Sequence, residues 1–74
     1  MVQLLILINA EKVSVFDIIK KLGKMPQVLS TFPTFGRFDA VAFCSVEERE
    51  EVGALVKSIA SLEGVVKTET LVEL

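Results

Sequence analysis

Two stretches, Val2-Gln3-Leu4-Leu5-Ile6-Leu7-Ile8 and Phe38-Asp39-Ala40-Val41-Ala42-Phe43-Cys44, decide how this 74-residue chain folds. Both are apolar at odd and even positions alike, so each reads as a strand that must be covered on two faces. Two amphipathic helices, over residues 15–22 and 46–62, are available to cover them. Helices so short, joined to the strands by direct crossovers, supply one layer only. The second layer is then expected from another copy of the chain. Self-association is therefore the first functional expectation, and any binding site is expected at or near a subunit contact.

A chain of 74 residues makes one domain. At this size about 60% of the unfolded surface is buried on folding, so a partner adds substantially to the core. The formal charge is -2, and the one dense charged run is Glu47, Glu48, Glu50 and Glu51. No basic stripe exists, which argues against nucleic acid or an anionic membrane as a direct partner. Cys44 is the single cysteine and falls inside an apolar strand, the place of a buried thiol in a reducing compartment rather than of half a disulfide. The opening apolar run has no basic segment ahead of it and is too short to span a bilayer. It reads as a strand, and the protein as cytoplasmic.

Working outward from the two strands, residues 9–13 read as a loop and Ser14 as the cap of the first helix, with Asp17 three positions on. Val15, Ile18, Ile19 and Leu22 form one apolar stripe, and Lys20, Lys21 and Lys24 gather at the C-terminal end of the helix dipole. Gly23 and Pro26 end this helix. Residues 27–34 form a strand in which Pro33 requires an edge or a strand end. A turn at Phe35, Gly36 and Arg37, with Gly36 at positive φ, leads as a hairpin into the second apolar strand. Ser45 with Glu48 reads as a second capping box, and the acidic run suits the positive end of the following helix dipole without any metal. Val52, Leu55, Val56 and Ile59 are that helix's packing face. Gly64 ends it. In residues 65–74, Val66, Thr68, Thr70 and Val72 alternate with Lys67, Glu69, Leu71 and Glu73, a charged pattern that suits an edge strand.

Strand, helix, strand, strand, helix, strand is the order of an α+β, ferredoxin-like βαββαβ sandwich. Its four-stranded antiparallel sheet, in the order 4-1-3-2, carries both helices on one face and dimerises through the other. The order puts the two doubly apolar strands at the centre. A subunit burying about 600 Å² or more on that face would have an interface of ordinary size.

Catalytic equipment is thin. The chain has no His, Tyr or Trp, so the usual carrier of a proton near neutral pH is missing. Asp39 is the best acid; it either acts on a ligand or accepts backbone and hydroxyl hydrogen bonds in the hairpin or across an interface. No second carboxylate is spaced to share a metal with it, a lone cysteine makes no paired-thiol site, and no glycine-rich phosphate cradle exists. No metal, no cofactor and no catalytic residue are expected, and the aromatics lack the flanking basic residues of an RNA-stacking sheet.

Thr34-Phe35-Gly36-Arg37-Phe38-Asp39-Ala40-Val41 resembles the Gly-x-Tyr/Phe-Asp hairpin of the ligand-binding (RAM) domain of the leucine-responsive and asparagine-responsive regulators, the Lrp/AsnC family. Gly64-Val65-Val66-Lys67-Thr68-Glu69-Thr70 resembles that domain's Gly-Val-x-x-Thr-x-Thr ending, and Leu7-Ile8-Asn9-Ala10 and Met25-Pro26-Gln27-Val28 follow its first half more loosely. The resemblance covers essentially the whole chain. It implies a dimer through the sheets, assembly into an octamer or another ring of dimers, and a small effector, typically an amino acid, bound where dimers meet. By the same resemblance Gly36 and Asp39 border the effector pocket, and Thr68, Glu69 and Thr70 lie near it. Arg37 holds a variable position, as a bidentate partner for a ligand carboxylate or as a solvated turn charge. Phe38 stands where the family often has Tyr, one hydroxyl fewer.

Full-length members carry an N-terminal helix-turn-helix, whereas the first strand here begins at Val2. The expectation is a stand-alone form of the domain, without DNA contacts of its own, that co-assembles with full-length Lrp/AsnC-type regulators or acts as an oligomeric binder. Two other classes remain open. One is a ligand-free adaptor whose crevices are filled by Phe32, Phe35 and Phe38; the other is a small dimeric α/β-barrel enzyme. A polar cavity at Asp39 separates the first reading from the adaptor, and turnover dependent on Asp39 would revive the enzyme.

Overall fold

Six elements follow one another along the chain: β1 (Val2–Ala10), α1 (Val15–Leu22), β2 (Val28–Pro33), β3 (Ala40–Val46), α2 (Val52–Ala60) and β4 (Val65–Val72). The structure is a computed structural model that describes residues 1–74. Short 3-10 turns, Lys12–Ser14 and Arg49–Glu51, lead into the two helices. The strands form one sheet in the order β2-β3-β1-β4, antiparallel at every pairing. This is the ferredoxin-like order expected from the two apolar stretches, with Pro33 ending the edge strand β2.

The core lies between the helices and one face of the sheet. Leu4, Ile6 and Ile8 of β1 and Ala40, Ala42 and Cys44 of β3 form one buried cluster with Ile18 and Leu22 of α1 and Leu55 and Ile59 of α2. Cross-strand partners Leu4 and Cys44, Ile6 and Ala42, and Ile8 and Ala40 set large residues on β1 beside small ones on β3. The small side chains leave room for the helix side chains to descend onto the sheet. Full burial of each such aliphatic side chain contributes about 1.5 to 3 kcal/mol.

Element ends differ from the sequence-based expectation for identifiable reasons. β1 continues past Ile8 to Ala10 because β4 pairs with it there, Asn9 with Lys67 and Ala10 with Val65, and loop groups hold the residues on either side. Asp39 N–H donates to Ile8 O at 2.8 Å and Glu11 N–H to Gly64 O at 2.9 Å. β3 begins at Ala40 rather than Phe38 and runs on to Val46, where Ser45 N–H donates to Gln27 O at 2.9 Å. Ser45 is thus a strand residue, and the Ser45/Glu48 box does not form. Instead the Glu51 carboxylate accepts the Glu47 N–H at 3.2 Å, and α2 itself starts only at Val52, so the expected span of residues 46–62 shrinks at both ends. Ser14 makes no side-chain cap either.

β4 carries a further correction. The register shifts between Asn9 and Ala10, so Asn9 pairs with Lys67 and Ala10 with Val65. Val66 is left out of the ladder and is 70% exposed, while Val65 packs against the core in its place. Thr68, Thr70 and Val72 keep the expected face, in register with Ile8, Ile6 and Leu4.

Gly64 has φ +93, and a Cβ there would collide with the Cβ and Oγ of Ser14. Conformation and close approach both demand glycine at this junction of β1, α1 and β4. Gly64→Ala should cost about 2 kcal/mol or more, measured by urea unfolding. Adding Ser14→Gly should recover the steric part and leave the φ penalty. Burial pushes the Cys44 thiol up from 9.0 to about 11. The unfolded chain releases this proton first, so stability should fall as pH rises from 9.0 towards about 11. A Cys44→Ala variant should lose that component of the unfolding midpoint's pH dependence.

Candidate functional site

Asp39 closes the hairpin between β2 and β3 and ties it to the end of β1. Its Oδ2 accepts the Ala10 N–H at 2.8 Å, and its own main chain donates to Ile8 O and accepts from Thr34 N–H at 3.0 Å. Its Oδ1 faces Lys12 Nζ at 3.8 Å; the Asp39 side chain is 21% exposed and that of Lys12 92%. Thr34 Oγ1 donates to Phe38 O at 2.8 Å across the same turn, and Gly36 adopts φ +108, a conformation that disfavours any side chain. The expected hydrogen-bonding role of Asp39 is therefore present within one chain.

A cleft of about 260 Å³ opens beside it, lined by Lys12, Val15, Phe16, Pro33, Thr34, Phe35 and Asp39. Of the six residues expected from sequence, Asp39 alone lines this cleft; Gly36 and Arg37 sit on the same turn outside its lining. Thr68 and Thr70 lie on the helix-facing side of β4, and Glu69 lies on the opposite side in register with Leu7. β1 stands between them and β3, two strand spacings of about 4.8 Å each. One protomer does not gather the hairpin and the β4 residues into a single site.

Sequence reasoning left Lys12, Val15, Phe16, Pro33 and Thr34 out of the site, and named Phe35 only as a crevice filler in the adaptor reading. A signal for one of them was present: Phe16 falls off the apolar stripe of α1, and it is 75% exposed. An aromatic on the polar side of an amphipathic helix marks a surface with something to meet.

The second notable surface is the sheet face away from the helices. The register puts Leu5 and Leu7 of β1, Val41 and Phe43 of β3, Phe32 of β2 and Leu71 of β4 on it. Phe43, Phe32 and Leu71 are 45%, 46% and 52% exposed. On the same face Asn9 Oδ1 and Ser45 Oγ are buried without a hydrogen-bond partner. No group of three or more His, Cys, Asp or Glu side chains is placed to hold a metal ion, and no helix is long and apolar enough to cross a membrane.

A four-stranded antiparallel sheet with both helices on one face and a carboxylate-bearing hairpin at one end defines a small ferredoxin-like domain. The family model of the Lrp/AsnC ligand-binding domain matches residues 3–74, and the chain belongs to this family. It is thus a regulatory module rather than an enzyme.

Among solved structures, a protein from Thermus thermophilus is 32% identical over all of this chain and 94% of its own, with a TM-score of 0.94. Escherichia coli AsnC is 20% identical, covering 99% of this chain and 50% of its own, with a TM-score of 0.88. A transcriptional regulator from Neisseria meningitidis, described as a complex with L-Met, is 22% identical over 99% of this chain and 49% of its own, with a TM-score of 0.87. The chain spans nearly the whole of the Thermus protein and about half the length of the two regulators. No curated protein matches the sequence.

Removing the Asp39 carboxylate leaves the Ala10 N–H without its acceptor. Asp39→Ala should cost about 1.5 to 3 kcal/mol, the range for a hydrogen bond to a charged group. Hydrogen exchange should accelerate first at Ala10, and an unchanged protection factor there would contradict the assigned tie.

Proposed function

We propose that this chain is an oligomeric effector-binding module of the Lrp/AsnC type whose effector is an amino acid. Membership of the ligand-binding family carries the reading, and the cleft beside Asp39, with opposite charges at its mouth, supports it. That a related regulator is described with L-Met supports the class of ligand.

The assembly reading rests on the open sheet face. Leu5, Leu7, Phe32, Val41, Phe43 and Leu71 form an apolar surface. Apolar area of this kind is stabilised by about 25 cal/mol per Å² when covered. The two copies pack sheet to sheet. Dimers then meet at the Asp39 end, where Gly36, Arg37 and Asp39 of one protomer and Thr68, Glu69 and Thr70 of a neighbouring copy surround the effector. The partners beyond its own copies are regulators of the Lrp/AsnC type, with which it co-assembles.

Native mass spectrometry with and without a panel of amino acids tests the function. Retention of one amino acid per subunit or per interface supports it, and an oligomer that retains none at millimolar ligand makes the chain an adaptor. For the interface, Phe43 is the outward position and Ala42 the fully buried one. Phe43→Glu should therefore give monomeric or insoluble protein in sedimentation velocity; a soluble, unchanged dimer would remove the sheet face from the assembly.

A further inference from the structure

We infer that sheet-to-sheet dimers of this chain join through the free edge of β4, which pairs antiparallel with β4 of a second copy about a two-fold axis at Thr68. Lys67 then meets the partner's Glu69, and Glu69 meets the partner's Lys67. The inference rests on the assembly reading above and names the contact through which dimers meet.

One edge of the sheet is better made for such pairing than the other. β2 is six residues long, breaks its register between Val28 and Ser30 and ends on Pro33, all of which spoil a ladder. β4 is eight residues long and has no proline, and it forms the opposite edge. Glu73 N–H donates to Gln3 O at 3.0 Å, and along an antiparallel strand the main-chain groups face alternate sides. With the register of β4 on β1, Lys67, Glu69 and Leu71 direct their N–H and C=O groups to β1. Thr68, Thr70 and Val72 turn theirs outward, where the sheet has no further strand.

Charge selects both the partner and the register. Lys67 and Glu69 are exposed, share the open face of the sheet and belong to neither of the chain's ion pairs, Lys12 with Asp39 and Lys21 with Asp17. A second β4 centred on Lys67 or on Glu69 sets like charges opposite each other, and one centred on Leu71 sets Glu69 against the partner's Glu73. Centring on Thr70 leaves Glu69 facing the partner's Leu71. It also sets Lys67 against a glutamate, Glu73, whose carboxylate already accepts the Gln3 N–H at 2.6 Å. Centring on Thr68 makes two opposite-charge pairs at once, at non-hydrogen-bonded positions where side chains come closest. The same register sets Val66, left out of the β1 ladder and 70% exposed, opposite the partner's Thr70, a β-branched pair suited to a sheet. Thr68 is level with Ile8 and hence with Ala40, so the contact falls at the Asp39 end. Each carboxylate has a second oxygen, which leaves Glu69 able to serve an effector there. A ladder this short is marginal alone, and the sheet-to-sheet dimer is what presents it.

Sedimentation velocity of the intact protein at low salt tests this with Lys67→Glu, Glu69→Lys, the double exchange of both, and Thr68→Pro, which removes an N–H that points away from β1. The unaltered protein should sediment as an assembly larger than a dimer. Each single exchange puts like charges at both pairs and should weaken the joining of dimers by about tenfold. Thr68→Pro should leave dimers with an unchanged circular dichroism spectrum, and the double exchange should restore the original assembly. Assembly that ignores the single exchanges, or that the double exchange fails to restore, overturns the inference and leaves the sheet-to-sheet dimer standing. An unaltered protein that is only dimeric does the same, and a monomeric one overturns both.

Discussion

The pairing of β1 with β3 is the constraint on which the rest of this small domain depends. On the helix side the pair alternates bulk across the ladder, with Leu4, Ile6 and Ile8 against Cys44, Ala42 and Ala40. A flat wall of large aliphatics on both strands would hold the helices away. The alanines and the cysteine let Ile18, Leu22, Leu55 and Ile59 reach the sheet, and all of these side chains end buried. The same choice raises the affinity of Cys44 for its proton, because the thiol sits where a thiolate would be desolvated.

Both ends of that pairing are held by groups outside the strands, and this is how the fold makes a site. At one end Asp39 and Gly64 reach β1 from two different loops, and their hydrogen bonds to Ala10 and Glu11 place the hairpin beside the start of α1. The cleft lined by Lys12, Phe16, Phe35 and Asp39 is a by-product of this closure. Asp39 therefore has two oxygens with different duties. One is fixed to backbone, and the other has only a distant lysine for company. At the other end, Arg49 donates to the main-chain oxygens of Glu73 and Leu74 at 2.8 and 3.1 Å, and Gln3 N–H to the Glu73 carboxylate at 2.6 Å. These contacts pin the last residues beside the start of β1.

The far face of the same β1 and β3 pair is apolar but meets no element of its own chain. Two helices of eight and nine residues cannot be on both sides of a sheet. Leu5, Leu7, Val41 and Phe43 thus remain outside the core that their immediate neighbours in sequence build. An alternation that is apolar on both faces is in this sense a statement about the assembly as much as about the chain.

The element order, the strand order and the centrality of residues 2–8 and 38–44 were legible in the sequence by itself, because a period of two and a period of 3.6 are local properties of the chain. So were the core stripes of both helices and the positive φ of Gly36. Only the tertiary structure decided where the elements end. Ser14 and Ser45 carry capping patterns, yet one packs against Gly64 and the other is kept in β3 by Gln27 O. A local preference of about 1 kcal/mol for a cap yields to a long-range ladder bond and a close contact. The bulge that exposes Val66 was invisible for the same reason, since it arises from pairing with Asn9 and Ala10, far off in sequence. Of the site, the sequence pointed to Asp39 and the hairpin; the cleft's other walls come from α1 and from Lys12, which no motif links to Asp39. They meet because β1 ends where the hairpin closes, and that coincidence exists only in three dimensions.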